Sequence, residues 1–396
     1  MNIRQAPDVN RKLEIETGIA SFLDEFIALR RDIHIHPELA FKEHRTASLV
    51  ADLLRQWGYE VTTGVGGTGV VGTLRRGTST KTISIRADMD ALPIIEATGL
   101  EYVSSNPGVM HACGHDGHTS ILLAAARYLA EAGQFSGILY VIFQPAEEIG
   151  AGARRMIEGG LFDRFPCDAI YGLHNWPGVP AGNFGFVAGP AMASVDRAKI
   201  RVNGRGGHGA EPHKSVDPVV VASSIVLALQ TVVSRNIDPL DMAVVTVASI
   251  HGGDALNVIP ASVELGLTIR SFSQSVREEL RGRIEALVRS HAESYGAEAD
   301  VDYQWGFPAL INAKAETAFA QQVALTTFPK GAVIEDFRPR TASEDFAFML
   351  EERPGSYFFV GNGESAGLHS PEYDFNDEIL LPAALFWVRL TEASLT

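Results

Sequence analysis

The sequence predicts a two-domain α/β protein, one domain built on a mostly parallel central sheet and the other a βαββαβ unit inserted into it. Three observations predict this. The 396 residues exceed what one hydrophobic core usually organises. Strand-like and helix-like runs alternate over the first half of the chain and return at its end. Between them the rhythm changes to strand, helix, strand, strand, helix, strand.

Taken in order, Ile19, Phe22, Leu23, Phe26 and Ile27 form one helical stripe. His34, His36 and Glu38 are read as following that helix and fixing its end to the core. A second helix is expected over residues 45–57, stopped by Gly58. Glycine-punctuated strands follow over 61–74 and 82–86, the latter leading into Asp88-Met89-Asp90. A helix rich in Ile121, Leu122, Leu123 and Leu129 starts at Asp116 or Thr119. Residues 138–143 read as a buried strand and 169–173 as another strand, running into Gln144-Pro145-Ala146-Glu147-Glu148 and into His174. The polar clusters thus fall where strands end, which is where open α/β sheets build their sites.

The middle of the chain gives strands over 198–202, 243–250, 263–269 and 299–303. Helices over 218–233, beginning near Asp217, and over 276–295 complete the set. This order is the split-βαβ signature of a ferredoxin-like domain, assigned to residues 191–306. Residues 1–190 and 307–396 form the first domain, with a helix near 316–327, a strand near 356–360 and a C-terminal helix.

Composition excludes several function classes. A net charge of −15 gives no basic face for nucleic acid. No apolar run approaches the roughly 20 residues of a membrane span. The start of the chain lacks an apolar leader, and Cys113 and Cys167 are too few for a disulfide framework. A cytoplasmic protein is expected.

The densest group of metal-ligand side chains is His111-Ala112-Cys113-Gly114-His115-Asp116-Gly117-His118. Thiolate and imidazole both suit Zn²⁺ and its neighbours, and Cys113 and His115 could face one metal from a tight loop. Glu147-Glu148 on its own reads as a solvated acidic turn. Beside the cysteine cluster, one carboxylate is better explained as a metal ligand and the other as a base. His174 and His369 bring the ligand candidates to five: Cys113, His115, Glu148, His174 and His369. Five ligands fill two sites only if one bridges, and a thiolate can bridge. Zn²⁺ or Mn²⁺, and also Co²⁺ or Ni²⁺, fit such donors. Cys167, His118 and the glycine-rich stretch 64–72 carry no such signal.

These motifs resemble the M20 metallopeptidases, in the branch of aminoacylases, hippurate hydrolases and auxin-conjugate (IAA-amino acid) hydrolases. The resemblance runs from His34-Ile35-His36-Pro37-Glu38 through Arg86-Ala87-Asp88-Met89-Asp90 and the cysteine cluster. It continues through Pro145-Ala146-Glu147-Glu148, Gly207-His208-Gly209-Ala210, Asn257-Val258-Ile259-Pro260 and Ser343-Glu344-Asp345. It implies hydrolysis of N-acyl-L-amino acids to a carboxylate and a free amino acid. Cys113 would bridge two divalent metals, Glu148 and His369 completing one site and His115 with His174 the other. Glu147 would be the general base, and Asp88 would orient a ligand. His208 would reach into a partner subunit and, with Asn257, donate to the oxyanion, while Arg270 would clamp the substrate carboxylate. From sequence alone those three read as two turn residues and a surface arginine. Other branches carry a histidine ligand where this chain has Arg86 and a bridging aspartate where it has Cys113, which points to the branch named. The inserted domain would serve as lid and dimerisation domain of a homodimer, or of a tetramer built from dimers. The competing readings are a dipeptidase, a deacetylase of the N-acyl-diaminopimelate type, and a ligand-binding homologue without catalysis.

Overall fold

The computed structural model describes residues 9–396; residues 1–8, on which part of the leader reading rests, lie outside them. The chain groups into two units. One takes the chain up to Gly189 with Ile311–Arg338 and Asp345–Thr396, the other Pro190–Leu310 with Pro339–Glu344. The second unit therefore also includes a short return segment, Pro339–Glu344, that the expected boundaries assign to the first. Two short strands, β7 (Gly189–Met192) and β14 (Leu310–Asn312), lie where the chain passes between the units.

The first unit is built on strands β1 (Glu60–Val65), β2 (Gly69–Arg76), β3 (Thr82–Asp88), β4 (Gly137–Gln144), β5 (Ala169–Pro177), β6 (Phe184–Gly185), β15 (Val333–Ile334) and β16 (Gly355–Gly363). They form one sheet in the order β1-β2-β4-β3-β5-β16-β6-β15. Its centre, β4-β3-β5-β16, is parallel, while β1, β2 and β6 attach antiparallel. The central strands are buried along nearly their whole length, as a sheet covered on both faces requires. Because β3, β4, β5 and β16 run the same way, their carboxyl ends meet along one edge.

Helices α1 (Val9–Ala20), α2 (Leu23–Ile35), α3 (His44–Gln56), α4 (His115–Ala132), α9 (Lys314–Thr327) and α11 (Leu380–Ser394) cover this sheet, with the shorter α5 (Gly152–Glu158), α6 (Leu161–Arg164) and α10 (Phe346–Glu352). The stripe from Ile19 to Ile27 is two helices, because the chain breaks after Ala20. Phe22 stays buried and stacks edge-on to Phe26, so the apolar face runs through the break and hides it in the sequence. His34 lies inside α2 rather than after it, fully buried.

The second unit contains β8 (Val195–Asn203), α7 (Pro218–Asn236), β10 (Ala243–His251), β12 (Ser262–Ser271), α8 (Gln274–Ser294) and β13 (Glu298–Phe307). The four strands form an antiparallel sheet in the order β10-β12-β8-β13. Alternate residues of β8 and β12 are buried, and they pack with the inner stripes of both helices into a separate core. Asp217 caps α7 by accepting from the Val219 N–H at 2.9 Å, with Pro218 in the first turn. At 19 residues α7 is long and apolar enough to cross a membrane, contrary to the expectation that no run came close. Val221, Ala222, Ile225, Leu229 and Val232 instead face the core of this unit.

Candidate metal centre

The carboxyl edge of the parallel strands collects the titratable side chains of the first unit. Asp88 ends β3, Glu147 and Glu148 follow β4, His174 lies near the end of β5, and His369 lies in the segment after β16. Cys113 and His115 enter from the turn that opens α4. That helix starts at His115, not at Asp116 or Thr119. Gly114 takes a left-handed φ of 88°, and a side chain there would run into Asn175 Nδ2 at 2.3 Å. Asn175 secures the turn by donating to the Cys113 carbonyl at 2.7 Å, and Tyr373 donates to Asn175 Oδ1 at 2.7 Å.

Among the groups of donor atoms that result, two share Cys113. Cys113, His115 and His174 present theirs within 4.8 Å of one another, and so do Cys113, Glu148 and His369. Cys113 belongs to both. Its Sγ lies 3.3 Å from His174 Nε2, and His369 Nε2 lies 3.4 Å from Glu148 Oε2. His115 turns its Nδ1 to the Asp90 carbonyl at 2.9 Å, leaving Nε2 to face the group. His174 likewise gives Nδ1 to the Asn175 carbonyl. His369 is held at a positive φ of 64°, its N–H bonded to the Ala112 carbonyl at 2.8 Å.

The chemistry of this set fits divalent metal. His115 Nε2 and Glu148 Oε1 are buried without a hydrogen-bond partner among the described residues, which is costly unless something else satisfies them. Burial, then the charges of Glu148, Glu147 and Asp88, pushes the Cys113 thiol well up. His115 resists burial because Asp88, Asp90 and Glu148 surround it, and is raised to about 10. Burial and the neighbouring His118 hold His174 down. Divalent cations would satisfy the orphaned atoms, draw out the thiolate and offset the acidic excess in one stroke.

Asp88 accepts from His118 Nδ1 at 2.6 Å and from Arg86 Nη1 at 2.6 Å, and lies 3.8 Å from His115 Nε2. His118 Nε2 in turn accepts from the Asn175 N–H at 3.0 Å, so both ring nitrogens of His118 are engaged. Glu147 is buried, with Oε1 3.4 Å from the Asp345 N–H. Arg86, notable in the sequence only as a departure from other branches, is fully buried. It binds Gln144 Oε1 at 2.8 Å and Asp345 Oδ1 at 3.2 Å as well as Asp88. Asp90 and Glu43, which carry no signal of their own in the sequence, also lie at this edge. Asp90 was legible in principle, since it lies two positions beyond Asp88 on an extended segment.

In the second unit His208 ends β9 (Gly207–His208), which pairs with β11 (Val258–Ile259), and Asn257 immediately precedes β11. Both are exposed, and the Gly209 N–H donates to the Asn257 carbonyl at 2.8 Å. His208 Nδ1 accepts from the Ala210 N–H at 3.1 Å, which puts the proton of the neutral ring on Nε2. Arg270, near the end of β12, donates through Nη1 to the Thr341 carbonyl at 2.7 Å and to Ser343 Oγ at 3.0 Å.

Residues 84–393 match the model of Peptidase family M20/M25/M40. The chain is 43% identical over 366 residues to a hippurate hydrolase of Campylobacter jejuni, covering 92% of this chain and 95% of that protein. It is 40% identical over 370 residues to an N-acetyl-L-cysteine deacetylase of Bacillus subtilis, covering 93% and 88%. Among solved structures, the Bacillus subtilis YXEP protein, described as a dinuclear metal binding peptidase of the M20 family, superposes with a TM-score of 0.84. It is 32% identical, over 95% of this chain and 99% of that one.

Proposed function

The chain belongs to peptidase family M20/M25/M40, and from that premise we propose that it is a metal-dependent amidohydrolase that cleaves N-acyl-L-amino acids into a carboxylate and a free amino acid. One observation carries the reading: two groups of donor atoms share the Cys113 thiol, and beside them lies the buried carboxylate of Glu147, to which we assign proton transfer. Cys113, His115 and His174 would hold one ion, and Cys113, Glu148 and His369 the other, Zn²⁺ or Mn²⁺ in each. Such a pair, when bound, activates water and polarises the scissile carbonyl.

The chain's own groups do the rest. Glu147 takes a proton from the attacking water and delivers it to the leaving amine nitrogen. Asp345, through its backbone N–H, aims Glu147 Oε1. Asp88 fixes His118 and lies against His115. His208, its proton on Nε2, and Asn257 donate to the oxyanion, a contribution on the order of 3 kcal/mol for one such donor. Arg270, steadied by Thr341 and Ser343, takes the carboxylate of the amino acid.

The protein acts as a homodimer through its second unit. Strand β10 is an edge of its sheet, and α7 exposes Val220 at 52% and Leu227 at 74%. His208 then serves the partner's site. A reducing, cytoplasmic setting suits a bridging thiol that must stay free.

Hydrolysis of N-benzoylglycine and N-acetyl-methionine, with chelator or with added Zn²⁺ or Mn²⁺, tests the reading alongside Glu147→Gln. Chelator-sensitive release of the amino acid, abolished in E147Q with its metal content unchanged, is expected. Release only from dipeptides would replace the substrate class, and an active E147Q would remove the base.

A further inference from the structure

Three residues other than glycine have a positive φ among the described residues: Phe41 at 59°, Ala146 at 54° and His369 at 64°. Backbone of this kind persists only where the surroundings over-determine it. His369 belongs to the metal centre. Phe41 and Ala146 are distant in sequence, yet one side chain joins them. Glu43 is fully buried, and its Oε1 accepts from the Phe41 N–H at 3.0 Å and from the Ala146 N–H at 2.9 Å. Its Oε2 accepts from the Thr68 hydroxyl.

The next two N–H groups are held by a second buried carboxylate. Asp90 Oδ1 accepts from the Glu147 N–H at 3.0 Å and Oδ2 from the Glu148 N–H at 3.1 Å. Three successive backbone donors, on residues 146, 147 and 148, therefore end on two carboxylates. Downstream, the N–H groups of Ala151 and Gly152 return to the Ala146 carbonyl, at 3.3 and 3.1 Å. The strained turn is thus clamped from both sides, just where two adjacent carboxylates must diverge.

We propose that Glu43 and Asp90 are positioning residues: they hold the turn from Ala146 to Glu148 so that Glu147 points at the reacting water and Glu148 at metal. The inference rests on the reading of Glu147 as base and Glu148 as ligand. Neither Glu43 nor Asp90 touches substrate in this account. Glu43 acts through the Ala146 backbone and Asp90 through the Glu147 and Glu148 backbone, with Asp90 Oδ1 also 3.3 Å from His115 Nδ1. Without Glu43 the Ala146 N–H loses its acceptor and the left-handed turn relaxes toward the right-handed region that a residue with a Cβ prefers. In Asp90→Asn the new amide group meets a backbone N–H, donor against donor, and one of the two bonds is lost. In Glu43→Gln the amide oxygen still accepts from Phe41 and Ala146, and the Thr68 hydroxyl turns to accept from the amide nitrogen.

The test compares wild type, E43A, E43Q, D90N and E147Q, each loaded with Mn²⁺ and assayed on N-benzoylglycine. We expect kcat per metal-loaded chain to fall about 10–100-fold in E43A and D90N, with KM changed by no more than about threefold. Both should also release Mn²⁺ to a chelator faster than wild type, a readout independent of turnover. E43Q should stay close to wild type on both measures. Wild-type kcat and metal retention in E43A and D90N, whatever their melting temperatures, would overturn the proposal, because a merely structural role moves stability alone. Should E43A fail to fold, D90N, which fills the same space as the native residue, decides the matter. E147Q separates the two levels. An active E147Q removes the base reading itself, whereas an inactive E147Q beside unimpaired E43A and D90N removes only the positioning role.

Discussion

His34 illustrates how a residue's charge state is set by what the fold brings to it. Burial works against its charged form, but Asp116 at 2.9 Å from Nδ1 and Glu96 at 3.2 Å from Nε2 outweigh that and raise its pKa from 6.5 to about 9. Because the folded value lies above the unfolded one, the stabilisation is complete below about pH 6.5 and is lost as pH rises to about 9. Its ceiling is on the order of 3 kcal/mol. The unfolding free energy of His34→Gln, measured by denaturant titration, should fall furthest below wild type near pH 6, and the gap should narrow as pH rises through about 9, leaving the pH-independent loss of packing. A gap that is independent of pH would show that His34 is not charged in the folded protein. In sequence His34 was visible only as one member of a His-x-His-Pro-Glu run. Its partners lie 62 and 82 positions away, beyond anything local spacing reports.

The elements show the same division between local and distant causes. The α4 helix has a glycine, Gly117, in its first turn and α8 has one, Gly282, in its interior, and sequence alone would rank both as weak points in a helix. They differ in what lies opposite. A Cβ on Gly117 would sit 2.1 Å from the buried Phe375 ring, whereas nothing lies within 4 Å of one on Gly282. Gly117→Ala should therefore lower the melting temperature, overpacking costing about 1–3 kcal/mol against a helix gain of about 1. Gly282→Ala should raise the stability of the second unit by about 0.5–1 kcal/mol, because only the propensity gain remains. Thermal unfolding of the two variants checks both, and a stabilised G117A would mean that Phe375 yields without cost.

At the scale of the whole molecule, the proposed reaction draws on groups from both units, and the dimer reading makes activity depend on assembly. Leu227→Asp places a charge on the exposed apolar face of α7 and leaves the inner stripe of that helix untouched. Sedimentation should show the variant as a monomer, with turnover largely lost. A stable, folded dimer would move the interface elsewhere, and a fully active monomer would end the role of His208 in trans. Mixing H208A with E147Q subunits carries the same question further. If each site borrows the partner's histidine, the mixed dimer regains one intact site, and activity should return from two inactive parents.

The alternation of strands and helices, the change of rhythm in the middle and the clustering of residue types that can bind metal are all present in the sequence, because each of these is written in local periodicity or in one dense motif. Cys113, His115 and the Glu147-Glu148 pair were legible for that reason, whereas His208, Asn257 and Arg270 became candidates only through family resemblance. The break between α1 and α2, the start of α4 at His115 and the place of His34 inside α2 were not legible, because an apolar face can continue across a break and a glycine turn can replace a cap. Tertiary structure alone decided which buried groups meet: Arg86 with Asp345, Glu43 with Ala146, Asp90 with the Glu147 and Glu148 backbone. The physical reason is that a buried polar atom must find a partner wherever the packed chain offers one, and sequence distance places no limit on where that is.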